Sequence, residues 1–284
     1  MNQAHNLESM MKSPRKTTAK FIAVTSGKGG VGKSNISANL AYCLHKMGYR
    51  VGVFDADIGL ANLDLIFGVK TEKNILHALK GEVDFREVIY EIENGLYLIP
   101  GDSGEEILRY SSTNMIEDFA GDTDIWNLFD YVVVDTGAGI SNMTQAFLRA
   151  SDYIIVITTP EPSSKTDAYA MLKVNSKFTN ECMMLVNMAN TQAQITQVFD
   201  TIYKVAQKNI PGLRLQLLGG FTVNNTLKQA ILRRKIMCKV EPNNIFSTAM
   251  QTIAKRLVDK MEHNMLEKPT KTVGSFFKRI LGYL

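Results

Sequence analysis

Cysteine is scarce in this chain of 284 residues. Cys43, Cys182 and Cys238 are odd in number, far apart and never arranged as C-x-x-C. That pattern argues against a disulfide framework and a zinc cluster, and reduced cytosol is the simplest setting for it. No cysteine falls between Cys43 and Cys182, which argues against a cluster-carrying reductase, because thiolates hold iron–sulfur clusters. Long apolar runs are missing too. No stretch reaches the roughly 20 apolar residues of a spanning helix, and the first twenty residues lack the apolar core of a signal peptide. A large charge surplus is also absent. The net charge is +4, and each tail (residues 1–20 and 267–284) holds four Lys/Arg against one Glu, leaving 24 basic and 26 acidic residues between them. A near-neutral body lacks the bulk charge of a nucleic-acid coat, so no direct nucleic-acid partner is expected.

What is present is enough apolar material, 45% of the residues, for one large core. Short β-branched runs at 21–25, 51–55, 96–99, 131–135, 153–158, 183–187 and 215–218 alternate with helical patterns at about 33–48, 74–80, 141–150, 164–179, 191–208, 225–234 and 244–263. Runs that are apolar on both faces suit a buried sheet. The expected fold is therefore α/β, a mostly parallel central sheet flanked by helices. The expected organisation is a flexible segment over 1–20, a main domain over 21–266, and a linker with an amphipathic helix over 267–284. No internal repeat is visible.

The apolar run Phe21-Ile-Ala-Val-Thr25 leads directly into Ser26-Gly-Lys-Gly-Gly-Val-Gly-Lys-Ser-Asn35 and a helical pattern. Gly27, Gly32, Lys33 and Ser34 satisfy G-x-x-x-x-G-K-S/T in the strand–turn–helix context that such a phosphate loop requires. Glycines let backbone N–H groups close around phosphate oxygens, Lys33 reaches the β and γ phosphates, and the Ser34 hydroxyl can ligate magnesium. Gly29, Gly30, Val31 and Asn35 complete the predicted ATP-binding stretch. Further on, Tyr131-Val-Val-Val-Asp135 is an apolar strand ending in an acid, suited to hold Mg2+ through its water shell, and Thr136-Gly-Ala-Gly139 follows as a loop able to move. Asp55 and Asp57, two apart at a strand end, can converge on a metal-bound phosphate.

The second lysine, Lys28, makes Lys28-Gly-Gly-Val-Gly-Lys-Ser34 resemble the deviant Walker A signature of the MinD/ParA/nitrogenase iron-protein ATPases. The resemblance covers about residues 20–284. It implies an ATPase (ATP and water to ADP and phosphate) whose hydrolysis is slow until a partner or membrane stimulates it. It also implies an ATP-dependent homodimer in which Lys28 crosses the interface to touch the partner's phosphates. The segment Asp55-Ala-Asp-Ile-Gly-Leu-Ala-Asn-Leu-Asp64 is similar to the family's acidic motif, implying that Asp57 orients or activates the attacking water and that Asp55 lies nearer the metal. Asp64 reads equally as a helix-start carboxylate. Asn187, after Leu185-Val, resembles the position whose amide reads the adenine edge. Gly219–Asn224 lies where the family closes over the base, without the proline and acid usual in MinD.

Val273, Phe276, Phe277, Ile280, Leu281 and Leu284 fall on one helical face, flanked by Lys268, Lys271, Lys278 and Arg279. Phe276, Phe277, Lys278, Arg279, Ile280 and Leu281 are the predicted contacts with an anionic inner membrane, while a groove on the chain's own body or on a partner is the alternative. In the leader, Gln3, Ala4 and Leu7 match the D-Q-A-x-x-L-R motif of the FlhG family of flagellar-number regulators, also called FleN or YlxH. Asn2 and Glu8 depart from it. That likeness implies partnership with the GTPase FlhF, with flagellar switch proteins or a flagellar transcription factor as further candidates. It also implies peripheral location on the cytoplasmic face of the inner membrane, the cell pole being one candidate position. Division-site placement of the MinD type and DNA partition of the ParA type are the competing functions.

Overall fold

A computed structural model describes residues 19–57, 62–101, 128–263, 276, 279 and 280. One sheet of eight strands organises them: β1 (Lys20–Ser26), β2 (Val51–Ala56), β3 (Tyr90–Glu93), β4 (Leu96–Ile99), β5 (Tyr131–Ala138), β6 (Tyr153–Thr158), β7 (Glu181–Ala189) and β8 (Arg214–Thr222). Their order is β3-β4-β2-β5-β1-β6-β7-β8, parallel throughout except at the β3/β4 edge. The seven expected strands are all present. The eighth, β3, is joined to β4 by Asn94-Gly95, with Gly95 at φ 91°. Asn-Gly between apolar runs is the strongest short hairpin signal, so β3 was readable in the sequence.

Continuous apolar runs split onto two faces because successive strand residues point opposite ways. Ile22, Val24, Val51, Val53, Tyr131, Val133, Ile155 and Ile157 share one core. Helices α1 (Lys33–Lys46), α8 (Met237–Val240) and α9 (Ile245–His263) contribute to that core through residues such as Leu40, Met237, Met250 and Leu257. On the other face, α3 (Ile75–Leu79) and α4 (Asn142–Ala150) meet Phe54, Val132 and Val134, whereas α5 (Pro162–Asn175) and α6 (Gln192–Asn209) meet Ile154, Val156 and Met184. The described residues also include helices α2 (Leu63–Phe67) and α7 (Asn225–Leu232) and a 3-10 turn at Phe85–Val88. Short α2 and α8 were not expected: unlike the equally short α3, which Asn74 caps with its side chain, neither has a side-chain cap to mark its start. Helix α5 starts and stops earlier than expected, with Pro162 at its first turn, where a missing N–H costs nothing.

The tail does not stand apart from the body. Phe276 is fully buried and stacks on Phe21 of β1 with ring centroids 3.9 Å apart and planes 11° apart, and Ile280 is also buried in the core around Phe54, Phe129 and Phe147. The apolar face expected to meet lipid is therefore turned, at these two residues, onto the chain's own sheet. Phe277, Lys278 and Leu281 lie outside the described residues, as do the linker and the leader with Gln3, Ala4 and Leu7. Among the described residues no helix is long and apolar enough to cross a membrane.

Candidate active site

The carboxyl ends of β1, β2 and β5 converge, as an open parallel sheet demands of a ligand site. Residues 27–32 turn between β1 and α1, with Gly30 at φ 77° and Gly32 at φ 94°. Gly32 is the N-cap of α1 and supplies no side-chain cap, so the first N–H groups of a 14-residue helix are available to an anion. Gly27 is required by its neighbour, because a Cβ there would lie 2.3 Å from the Asp167 carbonyl oxygen of α5. Lys33 is buried at the start of the helix.

These elements border a cavity of about 880 Å3, within the size range of small-molecule sites. Gly29, Gly30, Gly32, Lys33, Ser34 and Asn35 line one side and Asp57, Asn62 and Gly137 another. The structure thus brings together most of the expected phosphate-binding residues with Asp57. Residues 141–144, Met188 and Ile231 also line it and were not singled out from the sequence. The Ser141 hydroxyl accepts from the Thr144 N–H at 3.1 Å, an N-cap whose signal, serine ahead of an apolar period, is local.

The carboxylates divide by environment. Asp135 is wholly buried: its Oδ1 accepts from the Ser37 hydroxyl at 2.9 Å, while its Oδ2 has no partner of hydrogen-bonding geometry. Burial pushes its pKa up to about 7, against the opposing effect of the Ser34 and Ser37 hydroxyls. An orphaned buried carboxylate oxygen beside the phosphate-loop serine fits a hydrated divalent cation. Asp55 pairs in register with Asp135 across β2 and β5, but its oxygens are engaged by its own loop. Its Oδ2 accepts from the Asn62 and Leu63 N–H groups, each at 3.1 Å, and its Oδ1 accepts from the Asp57 N–H at 3.3 Å. Burial raises Asp55 to about 6 despite those bonds. Asp55 borders a separate small cavity with Asp64. Asp57 faces the large cavity, half-buried, its pKa raised by burial and held back by Lys33.

Lys28 is held within its own chain: Nζ lies 2.5 Å from Glu161 Oε2 and donates to Ser163 Oγ at 3.0 Å. Neither partner was picked out from the sequence. Asn187 is likewise engaged, its Nδ2 donating to the Val31 carbonyl at 2.8 Å and its Oδ1 accepting from the Met188 N–H at 2.9 Å. It latches β7 to the glycine turn, and its neighbour Met188, at φ 57°, lines the cavity instead. Gly219 and Gly220 belong to strand β8, and Asn224 caps α7. Asp64 sits in the first turn of α2, the helix-start role.

Comparison with known proteins gives a consistent result. The ParA family model, described as NUBPL iron-transfer P-loop NTPase, matches residues 17–258. The flagellum site-determining protein YlxH of Helicobacter pylori is 54% identical, the match covering 100% of this chain and 99% of that protein. The antiactivator FleN of Pseudomonas aeruginosa is 31% identical over 84% of this chain and 86% of its own length. The cell division ATPase MinD of Pyrococcus furiosus shares the fold, with a TM-score of 0.70 at 21% identity over 85% of this chain and 99% of that one.

Proposed function

Because the chain belongs to the ParA/MinD family of P-loop ATPases, we propose that it is an ATP-driven switch of the FlhG type. In this reading ATP pairs two copies, the pair holds the inner membrane, and hydrolysis releases it, so that flagellar number and placement are set together with an FlhF-type GTPase. The observation that carries the reading is Lys28. It sits in the glycine turn next to Gly29, which lines the cavity, and its side chain is 39% exposed and that of its partner Glu161 64% exposed, at a surface a second copy can reach. The flagellar assignment rests on likeness to the YlxH and FleN relatives.

The chain's own residues divide the work as follows. The N–H groups of the turn and of α1, with Lys33, would hold the phosphates. Asp57 would position the attacking water at the γ phosphate, and Lys28 of one copy would meet the charge developing on the other's phosphoryl group. Ser34 and, through water, Asp135 would hold magnesium, with Asp55 keeping Asp57 and Asn62 in place through its backbone bonds. Magnesium, when bound, supplies charge neutralisation at the phosphate oxygens. Asn187 would read adenine only by exchanging its bonds to Val31 and Met188.

Burial of Phe276 and Ile280 fits a tail that competes between the body and lipid. One amphipathic tail binds a membrane weakly, and pairing makes the second insertion effectively intramolecular. The deciding experiment compares sedimentation and anionic-liposome binding in ATP, ADP and no nucleotide. Dimers and liposome binding confined to ATP are expected. A chain that stays single at saturating Mg-ATP with hydrolysis blocked refutes the switch. Salt-sensitive DNA binding by a chain lacking residues 267–284 would favour a partition role instead.

A further inference from the structure

Two of the three cysteines meet, although 194 residues lie between them in the sequence. Cys43 is in the third turn of α1, the helix that begins at Lys33, and Cys238 is in α8. Asn39, one turn before Cys43, accepts the Cys238 N–H through its Oδ1 at 2.9 Å and donates its own amide to the Asn35 carbonyl at 2.8 Å. That anchor sets the α8 backbone against the face of α1 that carries Cys43, since residues four apart share a helix face. The two thiols are hydrogen-bonded to each other. Both border a cavity of about 430 Å3, together with Tyr42, Lys46, Lys239 and Lys255. Lys46 and Lys239 share Glu93. Cys182 is elsewhere, on β7 beside Asn175.

Disulfide formation requires facing sulfurs, an accessible path and a thiolate. Here the thiols are within hydrogen-bonding reach of each other, and the cavity they both border gives a small oxidant access and is lined by ammonium groups. We propose that Cys43 and Cys238 form a modification site where a hydroperoxide generates an intramolecular disulfide, stapling α8 to the phosphate-loop helix.

The Cys238 sulfur attacks the peroxide oxygen, so an S–O bond forms and the O–O bond breaks. The departing oxygen takes a proton and leaves as water or alcohol. The Cys43 sulfur then attacks the sulfenic sulfur, the S–S bond forms as the S–O bond breaks, and the departing hydroxide takes the Cys43 proton and leaves as water. Two thiols are oxidised by two electrons and one peroxide is reduced. The hydrogen bond between the thiols lowers the Cys238 pKa and raises that of Cys43, in line with attack by Cys238 and resolution by Cys43. Because α8 follows α7, whose Ile231 lines the nucleotide cavity, the staple restrains one wall of that cavity.

The test uses the folded, full-length protein treated with hydrogen peroxide, then alkylated and digested without reductant for mass spectrometry. A peptide linking 43 to 238, lighter by two hydrogens and separated again by dithiothreitol, is expected, with Cys182 alkylated before and after. Cys43→Ser should stop at a sulfenic acid on Cys238 that dimedone captures, and Cys238→Ser should leave Cys43 reduced. Absence of the linked peptide, linkage only through Cys182 or between chains, or linkage that forms only in denaturant overturns the proposal.

Discussion

Lys28 and Glu161 are paired inside one subunit, Nζ to Oε2 at 2.5 Å, with Ser163 Oγ accepting a second hydrogen bond from the same ammonium. A lysine that serves a second copy must first leave this pair. Both side chains are well exposed, and exposed pairs contribute only about 0.2–1 kcal/mol. The restraint is therefore weak. Glu161→Gln is expected to tighten ATP-dependent dimerisation roughly 1.5- to 5-fold, and Lys28→Ala to abolish it, by sedimentation with hydrolysis blocked. Equal dimerisation by parent and both variants removes the role assigned to Lys28.

Asp57→Ala should separate binding from chemistry. Asp57 faces the cavity but is not part of the glycine turn, so ATP affinity should change little while phosphate release drops about 10²- to 10⁴-fold, the usual worth of a positioned acid–base group. Loss of ATP affinity with unchanged turnover per bound nucleotide would place Asp57 in binding instead.

The Gly27 position tests the glycine turn. Gly27→Ala sets a Cβ 2.3 Å from the Asp167 carbonyl oxygen and 2.6 Å from the Asp167 Cβ, atoms fixed to the α5 backbone that cannot swing aside. Nucleotide binding is expected to be lost with a stability cost of about 1–3 kcal/mol. Gly29→Ala meets nothing within 4 Å and should be far milder in thermal melts of the nucleotide-free protein.

Asp135 predicts a pH dependence. Its folded pKa, about 7, lies above the ordinary 3.8 because burial disfavours the charge. The folded state thus binds the proton more tightly. The stabilising effect is complete below pH 3.8 and is lost as pH rises through 7. Thermal melts of the nucleotide-free protein should decline over that window, with Asp55, at about 6, contributing in the same direction. Asp135→Asn should flatten the decline, and should also weaken magnesium-dependent nucleotide binding. A melt profile that stays as steep in the variant assigns the pH dependence to other groups.

The docked tail gives two linked readouts. Removing residues 267–284 takes away Phe276 and Ile280 and leaves the ring of Phe21 without its stacking partner. Burying such side chains is worth about 1.5–3 kcal/mol each. The shortened chain should therefore melt earlier and also lose ATP-dependent liposome binding. Retained liposome binding removes the tail from membrane attachment.

Residue order alone determined the parts of this protein governed by neighbours along the chain. Strands needed continuous apolar runs, helices a 3.6-residue period, and a phosphate loop glycines and a lysine at fixed offsets, all within a few residues. The seven expected strands, the loop at residues 27–34 and Asp57 at its mouth were legible for that reason, and Asn94-Gly95 made even β3 readable. The pairings of Lys28 with Glu161, Asn187 with Val31, Cys43 with Cys238 and Phe276 with Phe21 had no such signal. Each joins residues more than a hundred positions apart, and only the strand order β2-β5-β1-β6-β7 and the helices packed across it bring them within contact. A side chain's type and spacing state what it can bond to, but the bond it makes depends on which distant group the sheet delivers, so the tertiary structure alone decided those four contacts.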